Sequence, residues 1–180
     1  MQQKIRVETE RLVISTTLIH ECPGLQSICD SWYDKIKIEG SKFEPDYIHK
    51  CFTHGDLPPI VEAKKSAYNL MSIKKKETLE LIGFSDLYFG YPTVDTAWIS
   101  IFMIHDKFRN NGYAQEAINM ISEECKLFGF KKIGIGVYLN NWRALRFWIK
   151  VGFNNITNIK GDKDYSEDSF AQIELIMNLK

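Results

Sequence analysis

The order of elements around residue 110 constrains this chain most. A strand-like run, Trp98–Ile104, leads through the hexapeptide Arg109-Asn110-Asn111-Gly112-Tyr113-Ala114 into a helix-like run, Tyr113–Phe128. Strand, short glycine turn, then helix aims several backbone N–H groups at one point. First-turn amides have no intrahelical acceptor, and the helix macrodipole adds about half a positive charge there. Gly112 lets the backbone approach a phosphate with no Cβ in the way. Taken alone, the same residues also suit a plain Asn-Gly turn that merely begins a helix.

The rest of the chain supplies an α/β frame for that turn. Arg11–Ser15 reads as a first strand, with Leu12 and Ile14 on one face. Glu21–Lys37 reads as a helix carrying Leu25, Ile28, Cys29 and Trp32 at three- and four-residue steps. A short helix follows Pro45 and ends near Phe52, before the loop His54–Pro59 with its paired prolines. Ser66–Lys74, Glu80–Phe89 and Thr96–Ile104 then read as an antiparallel meander, with turns at Lys75–Glu77 and Gly90–Asp95. The helix after Gly112 buries a stripe of Ala114, Ala117, Ile118, Ile121, Cys125 and Phe128, with Gln115, Glu116, Asn119 and Glu123 facing water. Lys132–Tyr138 is the next strand. Asn141 is the expected N-cap of a helix over Trp142–Val151. Asn154–Ile159 and Phe170–Leu179 close the fold around the charged loop Lys160–Asp168.

Composition removes several classes of function. At 180 residues and 44% hydrophobic, one domain spanning residues 1–180 is expected. Lys plus Arg and Asp plus Glu number 23 each, so no bulk field draws the chain to nucleic acid or membrane. No apolar run approaches the roughly 20 residues that span a bilayer, and Met1–Arg6 lacks the apolar stretch of a signal peptide. A cytoplasmic location is the expectation. Cys22, Cys29, Cys51 and Cys125 lack paired spacing and read as buried thiols. His49, Cys51 and His54 cluster in sequence but want a fourth ligand, so no metal is expected.

Two motifs together resemble the GNAT superfamily of N-acetyltransferases. Arg109–Ala114 is similar to that family's pyrophosphate loop, Gln/Arg-x-x-Gly-x-Gly/Ala. Asn141-Trp142-Arg143-Ala144-Leu145-Arg146-Phe147-Trp148, continuing to Val151-Gly152-Phe153, looks like its second signature, and one helix and one strand separate the two. Thr9-Glu10-Arg11-Leu12 resembles the opening of members that modify protein N-termini or small amines. The resemblance implies a single-domain GNAT fold: a mixed, mostly antiparallel central sheet splayed between its fourth and fifth strands, Thr96–Ile104 and Lys132–Tyr138, with helices on both faces. It implies acetyl-coenzyme A as co-substrate in that splay, its pantetheine paired with backbone groups of Phe102, Met103 and Ile104. The pyrophosphate would meet Arg109, Asn110, Asn111, Gly112, Tyr113 and Ala114, with Asn141 and Trp148 beside the far arm. Arg143, Arg146 and Lys107 are candidates to neutralise phosphates. Gly134 and Gly136 admit two readings, close approach by something flat or a twisted strand.

The chemistry implied is attack of a primary amine, from a small molecule or a peptide N-terminus, on the thioester. It needs a neutral amine, donors for the oxyanion and a departing thiolate. For a lysine-like amine only about one molecule in 2,500 is neutral at pH 7. Here the sequence departs from the family twice. Trp98 stands where many members have a glutamate, and Trp148 where they have the general-acid tyrosine; an indole N–H donates a hydrogen bond but supplies no proton near neutrality. Tyr138 is the substitute donor, Ser100 a holder of water or a satisfied core serine, and Asp86 a further base candidate or merely a surface carboxylate. His105 reads as structural, and Trp32, Tyr33 and Tyr47 as candidate walls of an amine pocket. The rival reading is a GNAT-fold module that binds or senses an acyl-coenzyme A without turnover; an unrelated nucleotide-binding domain is the third. The resemblance leaves a homodimer open.

Overall fold

The structure is a computed structural model that describes residues 5–180, so Met1–Lys4 of the opening segment lies outside the described residues. Its frame is one twisted sheet of β1 Arg6–Glu8, β2 Leu12–Thr16, β3 Tyr68–Lys75, β4 Leu81–Phe89, β5 Thr96–Ile99, β6 Phe102–Ile104, β7 Lys132–Tyr138, β8 Asn155–Gly161 and β9 Ala171–Asn178. In space the order is β1-β2-β3-β4-β5-β7-β9-β8, and β6 continues β5 along β4. Every pairing is antiparallel except that of β5 with β7. Among the described residues five α-helices accompany the sheet: α1 Cys22–Asp30, α2 Lys35–Glu39, α3 Tyr47–Thr53, α4 Tyr113–Leu127 and α5 Trp142–Lys150.

Alternation along the strands divides the core between the two faces. Met71 and Ile73 of β3, Ala97 and Ile99 of β5, and Ile133, Ile135 and Val137 of β7 pack with the stripe Ala117, Ile118, Ile121 and Cys125 of α4 and with Trp148 of α5. Tyr68, Leu70, Phe84, Tyr88 and Trp98 point the other way, onto Leu25, Ile28 and Cys29 of α1 and Ile48 and Cys51 of α3. The four thiols are free and buried, and burial pushes Cys51 and Cys125 up to about 12.

Three expectations need correction. The helix read over Glu21–Lys37 is two helices. Ser31 Oγ donates to the Ile28 carbonyl at 2.7 Å, and the Trp32 amide bonds Cys29 O at 3.1 Å, tightening the last turn until α1 stops. The strand read over Thr96–Ile104 breaks at Ser100–Ile101, for a reason that belongs to the site below. Finally, β1 precedes the strand that the sequence marks as first, because three residues are too few to show a period.

Candidate functional site

The break between β5 and β6 opens the sheet. From Thr96 to Ile99, β5 runs in register with Lys132 to Ile135 of β7. Beyond it, β6 follows β4 alone, pairing Phe102 with Ser85, Met103 with Phe84 and Ile104 with Gly83. Gly136 to Tyr138 of β7 therefore diverge from β6, and a cleft forms between the two strands.

Asp86 on β4 makes the break. Its Oδ1 accepts the Ser100 amide at 2.8 Å and the Ile101 amide at 3.0 Å, while its own amide and Ser85 Oγ both donate to Ile101 O at 3.1 Å. A side chain has taken the two amides that would have continued the ladder. Asp86 is fully buried, which overturns its reading as a surface carboxylate, and it lines neither cavity of the cleft. Burial pushes its carboxyl up to about 8, against the amide bonds that favour the charged form.

The broken ladder also decides which backbone groups face the cleft. Ile101 O accepts from Asp86 N, and His105 N donates to Ile82 O at 2.9 Å, so the odd residues of this stretch bond β4. Alternation turns Met103 toward β4 as well and leaves Phe102 and Ile104 on the open edge. The expectation that all three are free for pantetheine is corrected accordingly: the Met103 backbone is paired with Phe84 of β4. The Ile104 carbonyl already accepts from Arg109 Nε at 3.0 Å.

Two cavities meet in the cleft. One, of about 640 Å³, is walled by Trp32, Tyr47, Asp56, Trp98, Ser100 and Tyr138 among others. The other, of about 440 Å³, runs from Phe102–Ile104 past Arg109, Asn110, Gly112, Tyr113 and Ala114 to Arg143 and Lys150. Trp32, Phe102, Met103, Asn141, Ala144 and Trp148 border both. Trp148 is only 4% exposed; its ring packs edge-on against Phe153 at 4.9 Å, Phe147 at 5.0 Å and Phe102 at 5.7 Å. It is a fixed wall at the junction.

The residues from Arg109 to Ala114 adopt a turn that leads into a helix start. Asn110 and Gly112 both have positive φ, 62° and 81°, and Gly112 is the N-cap of α4 with no side-chain cap, so no capping side chain takes the first-turn amides. Asn111 Nδ2 donates to Arg109 O at 2.9 Å, bracing the turn from within. Arg109 braces it too, through Ile104 O and an ion pair with Asp106. Asn141 caps α5, its Oδ1 accepting the Ala144 amide at 3.0 Å. Of the other basic candidates, Arg143 borders the smaller cavity, whereas Lys107 and Arg146 border neither. Lys150 joins that wall unannounced, for it carries no signal beyond helical spacing. His105 is structural: Nδ1 accepts the Lys107 amide at 3.2 Å.

On the other side, Trp32 and Tyr47 do line the larger cavity, while Tyr33 is 80% exposed away from it. The flat object against Gly134 is Trp98 itself: a Cβ there would lie 2.6 Å from the indole. Among the described residues, Asp56 is the carboxylate of this cavity that enters no ion pair; Glu39 is held by Lys35 and Glu44 by Lys50. Asp56 Oδ2 accepts the Tyr47 hydroxyl at 3.0 Å. No pattern in the chain points to Asp56, which stands in an irregular loop. No group of three or more His, Cys, Asp or Glu among the described residues is placed to hold a metal, His49, Cys51 and His54 included. No helix among them is long and apolar enough to cross a membrane.

Residues 30–153 match the family model described as the acetyltransferase (GNAT) family. Solved structures of like fold include the ribosomal-protein-S18-alanine N-acetyltransferase from Escherichia coli, with a TM-score of 0.67 at 12% identity over 94% of each chain. The spermidine N-acetyltransferase from Vibrio cholerae, solved with coenzyme A and spermine, gives 0.71 at 12% identity over 95% of this chain and 97% of that one. An acetyltransferase from Thermus thermophilus gives 0.70 at 16% identity over 97% of this chain and 100% of that one. Identities this low speak for the fold alone. No curated protein matches the chain.

Proposed function

Because the chain belongs to the GNAT acetyltransferase family, we propose that it transfers an acetyl group from acetyl-coenzyme A to a primary amine of a small molecule or a peptide N-terminus. The observation that carries this reading is the meeting of two cavities at the cleft between β6 and β7, with an anion-cradling helix start along one of them. The smaller cavity takes the co-substrate. Its pantetheine lies along the open edge of β6 at Phe102 and Ile104, and its pyrophosphate meets the amides from Asn111 to Ala114. The larger cavity takes the amine.

The acetyl carbonyl then falls at the junction, beside Phe102, Met103 and Trp148. The amine lone pair attacks the carbonyl carbon, the C–N bond forms, and the oxyanion collapses by breaking the C–S bond. The thiolate leaves, since a thiol of pKa about 8.5 is a tolerable leaving group. Asp56 receives the nitrogen's proton, directly or through one water at Ser100. Tyr138, at the rim of the larger cavity, donates toward the departing sulfur. Neither Trp98 nor Trp148 exchanges a proton, which sets this site apart from the family pattern.

One observation favours the rival, a module that binds acyl-coenzyme A without turning it over: Trp148, in the proton-donor position of the signature, is buried among aromatic rings. A thiol-release screen over a panel of primary amines separates the two. The enzyme reading expects release with at least one amine, and a fall of about 10²-fold or more in kcat for Tyr138→Phe and for Asp56→Asn. Cofactor-dependent stabilisation with no release from any amine supports the rival. Unchanged kinetics in Tyr138→Phe removes that residue from the mechanism.

A further inference from the structure

Arg11, in the turn between β1 and β2, is a long way in sequence from the Arg109–Ala114 loop, yet it packs against that loop and the first turn of α4. Its Nη1 donates to the Asn111 carbonyl at 3.0 Å. Its Nε and Nη2 grip Glu116 Oε2 at 2.7 and 2.6 Å. The guanidinium lies 4.6 Å from the centre of the Tyr113 ring, and a Cβ on Gly112 would come within 3.3 Å of Nη2. The turn that presents Arg11 is itself fastened to α4. The Arg11 amide donates to Glu116 Oε1 at 3.0 Å, the Thr9 hydroxyl bonds the same oxygen, and Thr9 Oγ1 accepts the Leu12 amide at 2.8 Å.

We propose that Arg11 is a positioning residue for the pyrophosphate of acetyl-coenzyme A, clamping the Arg109–Gly112 loop and cancelling the charge of Glu116; this rests on the acyl-coenzyme A reading above. The first half follows from peptide geometry. The Asn111 carbonyl and the Gly112 N–H belong to one planar trans peptide, so they point in opposite directions. Holding the carbonyl against Arg11 turns the Gly112 N–H away from it, toward the cavity that Gly112 lines. A left-handed glycine without that bond is free to rotate the peptide and lose the donor.

The second half is electrostatic. Glu116 sits in the first turn of α4, where a carboxylate ordinarily complements the helix dipole. Here it stands at the helix end where a pyrophosphate must arrive, and like charges oppose each other. Burial pushes its carboxyl up, but the hydrogen bonds from Thr9 and Arg11 outweigh that and hold it below the usual range, so it stays ionised at neutral pH. The Arg11 guanidinium neutralises it and leaves the amides to the phosphates. Only the planar fork of arginine reaches the carboxylate and the loop carbonyl together; a lysine ammonium is a single point.

Calorimetric titration of wild type, Arg11→Met and Arg11→Lys with coenzyme A, and separately with pantetheine, tests this without any acceptor. Arg11→Met is expected to raise the coenzyme A Kd about ten-fold and to leave the pantetheine Kd unchanged, with Arg11→Lys between. Adding Glu116→Gln to Arg11→Met should recover part of the loss, because the uncancelled charge is gone. A parallel rise for both ligands, or no rise for either, overturns the clamp while leaving the acetyltransferase reading intact. Wild type that binds no coenzyme A overturns both. Thermal melting keeps the test sound: if Arg11→Met does not fold, Arg11→Lys carries the comparison.

Discussion

Replacing Asp86 by Asn separates the proton that Asp86 carries from the bonds it accepts. Asn keeps an acceptor oxygen for the Ser100 and Ile101 amides, bonded at 2.8 and 3.0 Å in the wild type, but it cannot ionise. Burial raises the folded-state value to about 8 from the ordinary 3.8, which the unfolded chain recovers. Between those values the folded protein holds a proton that the unfolded chain has released. Stability from this group is therefore fully present below the ordinary value, falls as pH rises, and is gone above about 8. One such group contributes a slope of about 1.4 kcal/mol per pH unit, and Asp86 has no solvent exposure to screen it. From about pH 5 to pH 8, the stability of Asp86→Asn relative to wild type should rise by up to about 4 kcal/mol. Urea unfolding at unit pH steps measures this directly. Glu21 and Glu116 are held low, so their titration lies at and below the ordinary carboxylate range and leaves this window clear. A wild-type-minus-variant difference that stays flat with pH would show Asp86 ionised in the folded protein and refute the reasoning.

Two substitutions probe the walls of the cleft. Gly134→Ala puts a Cβ 2.6 Å from the Trp98 ring and 2.8 Å from Ile176 Cδ1, and overpacking of this kind costs about 1–3 kcal/mol. In a double-mutant cycle by urea unfolding, Gly134→Ala should cost less on the Trp98→Leu background than in wild type; no cost for the single variant would contradict the packing. Asn141→Ala removes the acceptor of the Ala144 amide and should cost about 1 kcal/mol. Asn141→Asp, which keeps that acceptor, should melt near wild type, and equal losses in both would deny the cap.

The parts of the fold and site that rest on neighbours in sequence are legible without the structure. Gly112 as a left-handed helix start, Asn141 as a cap and the α4 stripe all follow from local residue types and helical spacing. What stays hidden depends on contacts between distant segments. Arg11 and Glu116 stand 105 residues apart, so Thr9–Leu12 shows only a family likeness and no reason for it. The break in β5–β6 is invisible in an apolar run, because Asp86 on the next strand causes it. Gly134 is open to reading as room for a ligand until the facing Trp98 fills that space. Glu116 reads as facing water, and instead its carboxylate ties the first hairpin to α4.

Hydrogen exchange with and without coenzyme A tests the central claim, that the co-substrate lies in the cleft between β6 and β7 with its pyrophosphate on the start of α4. Added coenzyme A should slow exchange at Phe102, Ile104 and the amides from Asn111 to Ala114, and leave the edge strand β8 unchanged. Protection confined to other segments, or none at saturating coenzyme A, would contradict it.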